Sequence, residues 1–279
     1  MLAFLNGRFV PENEALIPVN DRGFLYGDGL FETIRVCHGR AFRLTQHLER
    51  LQRGAEFLKI KLPFASQELQ QHAQELIARN QLSEALLRLT LSRGVGERGY
   101  LPRGADNPTI AMTLHPAPPL DPNRTFECTI ITASHRVPAG DVLAGFKTAN
   151  KLVNVLARME AEAKGASEAL LLNTKDEVAE AASANFFWIQ QDQVFTPPTA
   201  VGLLPGITRS VTFEICKRPG SSVHEGVIKS DALHRTGGMF LTQSALGVIA
   251  ITSLDGQTIP VPPLIHQLHR AYCELLAAE

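Results

Sequence analysis

Gly145-Phe146-Lys147-Thr148-Ala149-Asn150 places one lysine between an apolar lead-in and what reads as the first turn of an amphipathic helix. Lysine is a strongly hydrated cation, so where a chain turns into a core its ammonium is solvated, paired or chemically employed. Burial disfavours the charged form and lowers the pKa, which suits a lysine that forms a Schiff base or carries a proton. On spacing alone a solvated residue at a helix start is the plainer reading. The rest of the chain decides between the two.

The bounds exclude several classes. A chain of 279 residues has room for one large domain or two ordinary ones. With 44% hydrophobic and 20% charged residues and a formal net charge of -1, it offers no electrostatic case for nucleic acid or an anionic membrane as partner. Cys37, Cys128, Cys216 and Cys273 show no CxxC spacing, so they read as small buried hydrophobes in a reducing compartment, with neither a disulfide framework nor a metal site expected. No apolar run approaches the roughly 18 residues of a membrane helix, and Met1 to Val10 is too short and polar for a signal peptide. A cytoplasmic location is the expectation. The Asn123-Arg124-Thr125 sequon then reads as chance.

Upstream of the lysine, Asn6-Gly7 predicts a hairpin turn within Met1 to Val10. A glycine-rich loop from Val19 runs into a β-branched and aromatic strand ending near Val36, and reads equally as an elaborate turn or as the lining of a site. His38-Gly39-Arg40 reads as the next turn. Leu44 to Leu58 predicts a helix with Leu44, Leu48, Leu51, Ala55 and Leu58 inward and His47, Glu49, Arg50 and Arg53 on the polar face, so Arg50 judged alone is a solvated residue. Ser66 to Arg79 predicts a second helix with Ser66 as N-cap and Leu69, Ala73, Leu76 and Ile77 inward. Ala85 to Ser92 alternates as a half-buried strand. The Arg93-Gly94-Val95-Gly96-Glu97-Arg98-Gly99-Tyr100 that follows contains a literal G-x-G-x-x-G. No helical period follows it, so the dinucleotide-binding reading is rejected in favour of an arginine-bearing loop suited to a carboxylate. Thr109 to His115 is another strand, and the proline-rich 116–122 reads as a linker between domains 1–115 and 123–279.

Downstream, Phe126 to Ala133 predicts a strand. The helix opening at Asn150 is expected to bury Leu152, Val153, Leu156 and Met159 and to stop at Gly165. Buried strands are expected at Ala169 to Leu172, from Val178 to Glu180, and at Phe186 to Ile189. Gly206-Ile207-Thr208 opens a helix with Val211, Ile215 and Phe213 inward; its free N–H groups, hydroxyl and dipole suit a phosphate, though any capped helix start looks the same. Met239 to Thr242, a small-residue turn at Gln243-Ser244-Ala245, Val248 to Thr252 and a closing helix from Pro262 complete the pattern. His266 and His269 lack a third ligand nearby and read as surface or core-edge residues.

A lysine that can lose its proton, a strand carboxylate at Glu180, an arginine and a threonine-bearing helix start are what a pyridoxal phosphate site requires. The chain resembles the class IV aminotransferases, fold type IV pyridoxal-phosphate enzymes, in its Asp21 to Val36 segment, His47-Leu48-Glu49-Arg50-Leu51, the Lys147 segment, Glu180 to Phe187, Gly202 to Arg209 and Thr242 to Val248. The resemblance implies a two-domain α/β (α+β) fold, with the cofactor in the interdomain cleft and a homodimer whose partner lends loop residues to each site. It implies that Lys147 is the Schiff-base lysine and proton shuttle, Glu180 the partner of the pyridine nitrogen, and Arg50 a phosphate ligand. Gly206, Ile207 and Thr208 would meet the phosphate at the helix start, and Ser244 would complete the cup.

Branch assignment turns on a few positions. Thr33 stands where branched-chain aminotransferases usually carry glycine, and their lysine segment is typically one residue longer before Glu160-Ala161. D-amino acid aminotransferases typically show tyrosine at Phe31 and an Arg-x-His trap where this chain has Arg98-Gly99-Tyr100. The Tyr26 to Thr33 run, the Arg93 to Tyr100 loop and Gln243 to Val248 look like the aminodeoxychorismate lyases, although those usually carry asparagine at Gln243. The expectation is therefore a lyase that forms 4-aminobenzoate and pyruvate, with a transaminase of D- or branched-chain amino acids as the alternative. Arg98 is the candidate for the substrate carboxylate and Tyr26 for the pocket wall. A non-catalytic binding protein of the same fold is disfavoured by the retention of both Lys147 and Glu180.

Overall fold

Asn6 and Gly7 take φ of 49° and 91° and close the expected hairpin, β1 (Leu2–Leu5) on β2 (Arg8–Pro11). The computed structural model describes residues 1–217 and 222–279. It divides into two compact units, one of Met1–Pro119 with Phe146–Asn150 and Glu279, the other of Leu120–Gly145 and Lys151–Ala278.

In the first unit the glycine-rich loop contains a short helix, α1 (Arg22–Tyr26), whose first turn is capped by the Asp21 carboxylate accepting from Gly23 N at 2.7 Å. Then come β3 (Gly29–Cys37), β4 (Arg40–Ala41), α2 (Leu44–Leu58), α3 (Ser66–Asn80), β5 (Ala85–Ser92) and β6 (Thr109–Pro116). The sheet order is β2-β1-β6-β5-β3-β4. Strand alternation sorts the residues. Leu30, Glu32, Ile34 and Val36 share one face with Leu87, Leu89 and Leu91, and α2 and α3 cover the apolar members with Leu48, Leu51, Leu69 and Leu76. Phe31 and Thr33 lie on the opposite face with Arg88 and Thr90. The N-cap of α3 is Ala65 and not Ser66: the Glu68 carboxylate accepts from Ala65 N at 2.8 Å, a task a hydroxyl cannot share once Ser66 is helical.

The Lys147 segment departs from the sequence expectation in two ways. Sequence order assigns it to the second domain, and it belongs with the first unit. Periodicity makes it a helix start, and it is extended. The cause is the shortness of β4, which pairs only with Val36 and Cys37 and leaves the earlier part of that β3 edge open. Phe31 N donates to Lys147 O and Ala149 N to Gly29 O, both at 2.9 Å, and Phe146 stacks on Phe57 of α2 at 4.3 Å.

The second unit contains β7 (Phe126–Val137), α4 (Leu152–Ala163), β8 (Glu168–Asn173), β9 (Val178–Ala181), β10 (Asn185–Gln190), β11 (Gln193–Thr196), α5 (Ile207–Ile215), β12 (Val223–Glu225), β13 (Gly238–Gln243), β14 (Gly247–Leu254), β15 (Gln257–Thr258) and α6 (Pro263–Ala278). Among the described residues the sheet order is β12-β11-β10-β13-β14-β7-β8-β9, with β15 on β14. β8 is buried throughout, as its apolar run requires.

Helix α4 reverses the expected facing. Its buried residues are Ala157 and Ala161, packed in a cluster with Ile131, Ala133, Ala169, Leu171 and Ala182, whereas Leu152 is 70% and Met159 59% exposed. Alanines let the helix approach the sheet closely, and close packing outweighs the larger transfer energy that the leucines would have gained. In α5, Val211 is buried as expected, with Arg209 and Thr212 beside it, while Phe213 and Ile215 are only partly covered. His269 is fully buried against Val248 O and Asp121 O, a correction to its core-edge assignment; His266 stays outside on Thr125 Oγ1. Overpacking the alanine seam by Ala161→Leu should lower stability by about 1–3 kcal/mol in urea unfolding; an unchanged midpoint would contradict this seam.

Candidate active site

Glu32 lies on the helix-covered face of β3, where an unanswered charge is prohibitively unfavourable. It is answered twice from α2. Arg50 Nε donates to Oε1 at 2.8 Å and Arg50 Nη2 to Oε2 at 2.6 Å, and His47 Nδ1 lies 2.7 Å from Oε2. Burial alone would raise the Glu32 pKa; the bonds from Arg50 and His47 outweigh it and hold the carboxyl at about 2. Burial lowers the His47 pKa in spite of Glu32, with the Arg50 and Lys147 charges acting the same way, so the imidazole is neutral at pH 7 and donates through Nδ1. Arg50 and His47, assigned by periodicity to a solvated face, are 5% and 2% exposed.

On the other face of β3, Phe31 carries two cations. Lys147 Nζ sits 4.6 Å from its ring centroid, and the Arg88 guanidinium 3.6 Å. Arg88 is half-buried, which works against its charge, with Glu32 opposing. It has no ion-pair partner among the described residues. Sequence reasoning missed it because Arg88 reads as the polar side of an alternating strand.

Tyr26 and the Arg98 loop are brought together. Gly99 N donates to Tyr26 Oη at 3.1 Å, and Arg22 donates to Gly99 O and Tyr100 O at 2.8 and 2.9 Å. Arg22 and Arg93 share the Asp28 carboxylate, which their hydrogen bonds hold below its ordinary pKa although burial would raise it. Gly94, at φ 81°, has no room for a side chain, since a Cβ there would lie 1.9 Å from Asn107 O. Arg98 itself is exposed.

In the second unit four pieces meet at one end of β9, β10 and β13. Glu180, near the end of β9, accepts at Oε2 from Leu204 N (3.1 Å) and from Asn185 Nδ2 (3.2 Å). Asn185 pairs in register with Thr242, and Ser244 lies in the turn after β13. Helix α5 starts at Ile207 and Thr208 from N-cap Gly206 with no side-chain cap, so its first N–H groups have no side-chain oxygen of this end to meet. Thr242 Oγ1 is buried without a partner. An uncapped helix start, an orphaned hydroxyl and a fixed carboxylate fit a group with a phosphate at one end and a protonated ring nitrogen at the other.

Outside these residues, Cys37, His38 and Glu84 bring a sulfur, a nitrogen and an oxygen within 4.8 Å of one another, a grouping that cysteine spacing does not reveal. The Glu84 carboxylate is bonded to Arg35 and to His38 N, and burial followed by the Glu84 charge pushes the Cys37 thiol up to about 11. No helix among the described residues is long and apolar enough to cross a membrane.

The Glu32 arrangement fixes an acid response. Because the folded pKa, about 2, lies below the ordinary 4.5, its stabilisation is complete above about 4.5 and is lost as pH falls toward 2. His47 acts in the same direction below its ordinary 6.5, since the unfolded chain takes up that proton more readily. Glu32→Gln should destabilise the protein by about 3–5 kcal/mol at neutral pH by leaving Arg50 buried without its counter-charge. It should also flatten the acid limb of a stability profile from urea unfolding; a limb of unchanged slope would show that other groups carry it.

Comparison with known proteins agrees with this arrangement. The model of the amino-transferase class IV family matches residues 29–254. A Methanocaldococcus jannaschii protein provisionally named branched-chain-amino-acid aminotransferase is 35% identical over 93% of this chain and 90% of its own length. D-alanine aminotransferase of Bacillus licheniformis is 31% identical over 93% and 90%, and aminodeoxychorismate lyase of Bacillus subtilis 28% over 91% and 87%. Among solved structures, branched-chain aminotransferase from Thermoproteus uzoniensis with norvaline superposes with a TM-score of 0.93 at 26% identity, covering 100% of this chain and 95% of that one. A T.th. branched-chain amino acid aminotransferase complexed with N-(5'-phosphopyridoxyl)-L-glutamate gives 0.91 at 29% identity, over 99% and 94%. The fold is that of the type IV aminotransferase structures, and the chain belongs to the class IV aminotransferase family.

Proposed function

We propose that the chain is an amino-acid transaminase, moving an amino group from a branched-chain or D-amino acid to a 2-oxo acid. The observation that carries this reading is the pair of cations on Phe31: an amine at Lys147 and, on the same ring, an arginine at Arg88 with no carboxylate of its own among the described residues. The higher identity to the two aminotransferases than to the lyase supports it. The cofactor is pyridoxal 5'-phosphate. When bound, it supplies an electron sink that lets a bond to the substrate's amine-bearing carbon break heterolytically.

The chain's own residues divide the remaining work. Lys147 would hold the cofactor through Nζ, and the same amine would take up and return the substrate proton. Glu180 keeps the ring nitrogen protonated. Gly206, Ile207, Thr208 and Ser244 would hold the phosphate by N–H groups and hydroxyls, and Arg50 is the candidate cation for it. Arg88 and Arg98 are the candidates for substrate carboxylates, which an arginine can grip with two parallel hydrogen bonds, and Tyr26 anchors the loop that bears Arg98.

A second reading, the aminodeoxychorismate lyase, is favoured by Thr33, which pairs in register with Arg88 and sets a hydroxyl beside it on the Phe31 face. A substrate panel separates the two. The transaminase needs a 2-oxo acid acceptor, and Arg88→Ala should raise KM for carboxylate substrates tenfold or more while changing kcat less. Release of pyruvate and 4-aminobenzoate from 4-amino-4-deoxychorismate without an acceptor, and no amino transfer, would establish the lyase instead.

The partner we infer is a second copy. Leu152, Val155 and Met159, at positions i, i+3 and i+7 of α4, form a row of large apolar side chains 50–70% exposed, the mark of an interaction face. Replacing Leu152 and Met159 by aspartate should convert a dimer to a monomer in light scattering; a dimer of unchanged mass would place the interface elsewhere.

A further inference from the structure

We infer that Asn185 is a positioning residue that ties the two ends of the cofactor cradle together; this rests on the reading that Glu180 and the start of α5 hold pyridoxal phosphate. Asn185 is 5% exposed and opens β10, where Phe186 and Phe187, both fully buried, fix the strand that carries it. Its amide reaches in two directions. Nδ2 donates to Glu180 Oε2 at 3.2 Å and to Leu204 O at 2.8 Å. Oδ1 lies so close to Gly206 that a Cβ there would stand 1.9 Å from it. Gly206 is the N-cap of α5, and Leu204 N donates to the same Glu180 oxygen at 3.1 Å.

The consequence is mechanical. A glutamate side chain has several rotatable bonds, and a carboxylate held by a single donor swings about that bond. Two donors on Oε2, one from the Asn185 side chain and one from the backbone of the loop entering α5, fix the carboxylate plane and with it the direction of Oε1. The same amide also holds the loop backbone through Leu204 O, and its oxygen packs against Gly206. Movement of the phosphate-binding helix start is thereby transmitted to the group that faces the ring nitrogen. A glycine at 206 is required for this approach; any side chain would displace Asn185.

The test uses the cofactor-loaded protein with two readouts besides turnover: the rate of cofactor release on dilution, and the visible circular dichroism of the bound cofactor, which reports how rigidly the ring is oriented. Asn185→Asp keeps the shape, removes both Nδ2 hydrogen bonds and sets a second carboxylate beside Glu180 Oε2, whereas Asn185→Ala removes the bonds without adding charge. Both variants should speed release by about tenfold or more, since each loses the bond to the Glu180 carboxylate and the bond to Leu204 O, and should weaken the visible dichroism. On a Glu180→Gln background Asn185→Ala should still speed release, because the link to α5 persists, yet should add far less to the dichroism change than it does alone. Wild-type behaviour of Asn185→Asp in both readouts would overturn the proposal, as would full additivity of the dichroism changes. A thermal destabilisation equal in the cofactor-free and loaded states, with both readouts unmoved, would reduce Asn185 to a packing residue. If the wild-type chain takes up no cofactor, the underlying reading fails instead, and the two failures are told apart by that first measurement.

Discussion

A carboxylate on the apolar face of a sheet is the constraint around which the first unit is arranged. Glu32 sits between Leu30 and Ile34, with leucines opposite on β5, and water cannot solvate it there. The charge survives because α2 supplies a guanidinium in bidentate geometry and an imidazole three residues earlier. Positions 47 and 50 lie on one helical stripe, so both can reach the same carboxylate only at one rotation and one translation of α2 over β3. Apolar packing tolerates small slips; a buried ion pair with a third hydrogen-bonding member does not. The same contact orients Arg50.

The open edge of β3 is the second constraint. Because β4 is two residues long, the earlier part of the strand is left with unpaired backbone groups, and the Lys147 segment satisfies them from more than a hundred residues away in sequence. A lysine placed by backbone hydrogen bonds on a sheet edge is held more firmly than one on a loop, and its ammonium rests on Phe31 from the strand it pairs with. At the start of the same strand, Asp28 clamps Arg22 and Arg93, and Arg22 holds the carbonyls beside Arg98. One strand thus orders the amine, the arginine on Phe31 and the root of the arginine-bearing loop.

Local signals were legible in the sequence wherever one element decides its own shape. The Asn6-Gly7 hairpin, the spans of α2 and α3 and the alternation of β5 follow from turn chemistry and period, and the structure places them at those residues. Failures arise where the deciding partner is remote. Periodicity identifies a stripe on α4 but not that its alanines, and not its leucines, meet the sheet. Likewise, His47 and Arg50 look solvated until Glu32 is set opposite them, and Lys147 looks helical until the open edge of β3 is known. The lyase expectation rested on three short runs, Tyr26 to Thr33, Arg93 to Tyr100 and Gln243 to Val248, whereas identity along nine-tenths of the chain is 35% and 31% to the two aminotransferases and 28% to the lyase.

The second unit argues for a ligand by what its protein groups leave undone. A helix start without a side-chain cap and a buried threonine hydroxyl without a partner are each unfavourable in a folded chain, and each could be relieved by a single substitution. Here they stand at one end of the sheet, beside a glutamate held by two donors on one oxygen. Local destabilisation gathered in one place, next to groups that are rigidly fixed, is the pattern of a site whose polar demands are met by a bound molecule. The start of α5 and Thr242 offer N–H groups and hydroxyls, Glu180 offers a carboxylate, and Leu204 N in the loop entering α5 is bonded to that carboxylate. In the reading proposed above pyridoxal phosphate would meet these demands, and its binding would regain the stability that they cost the chain alone.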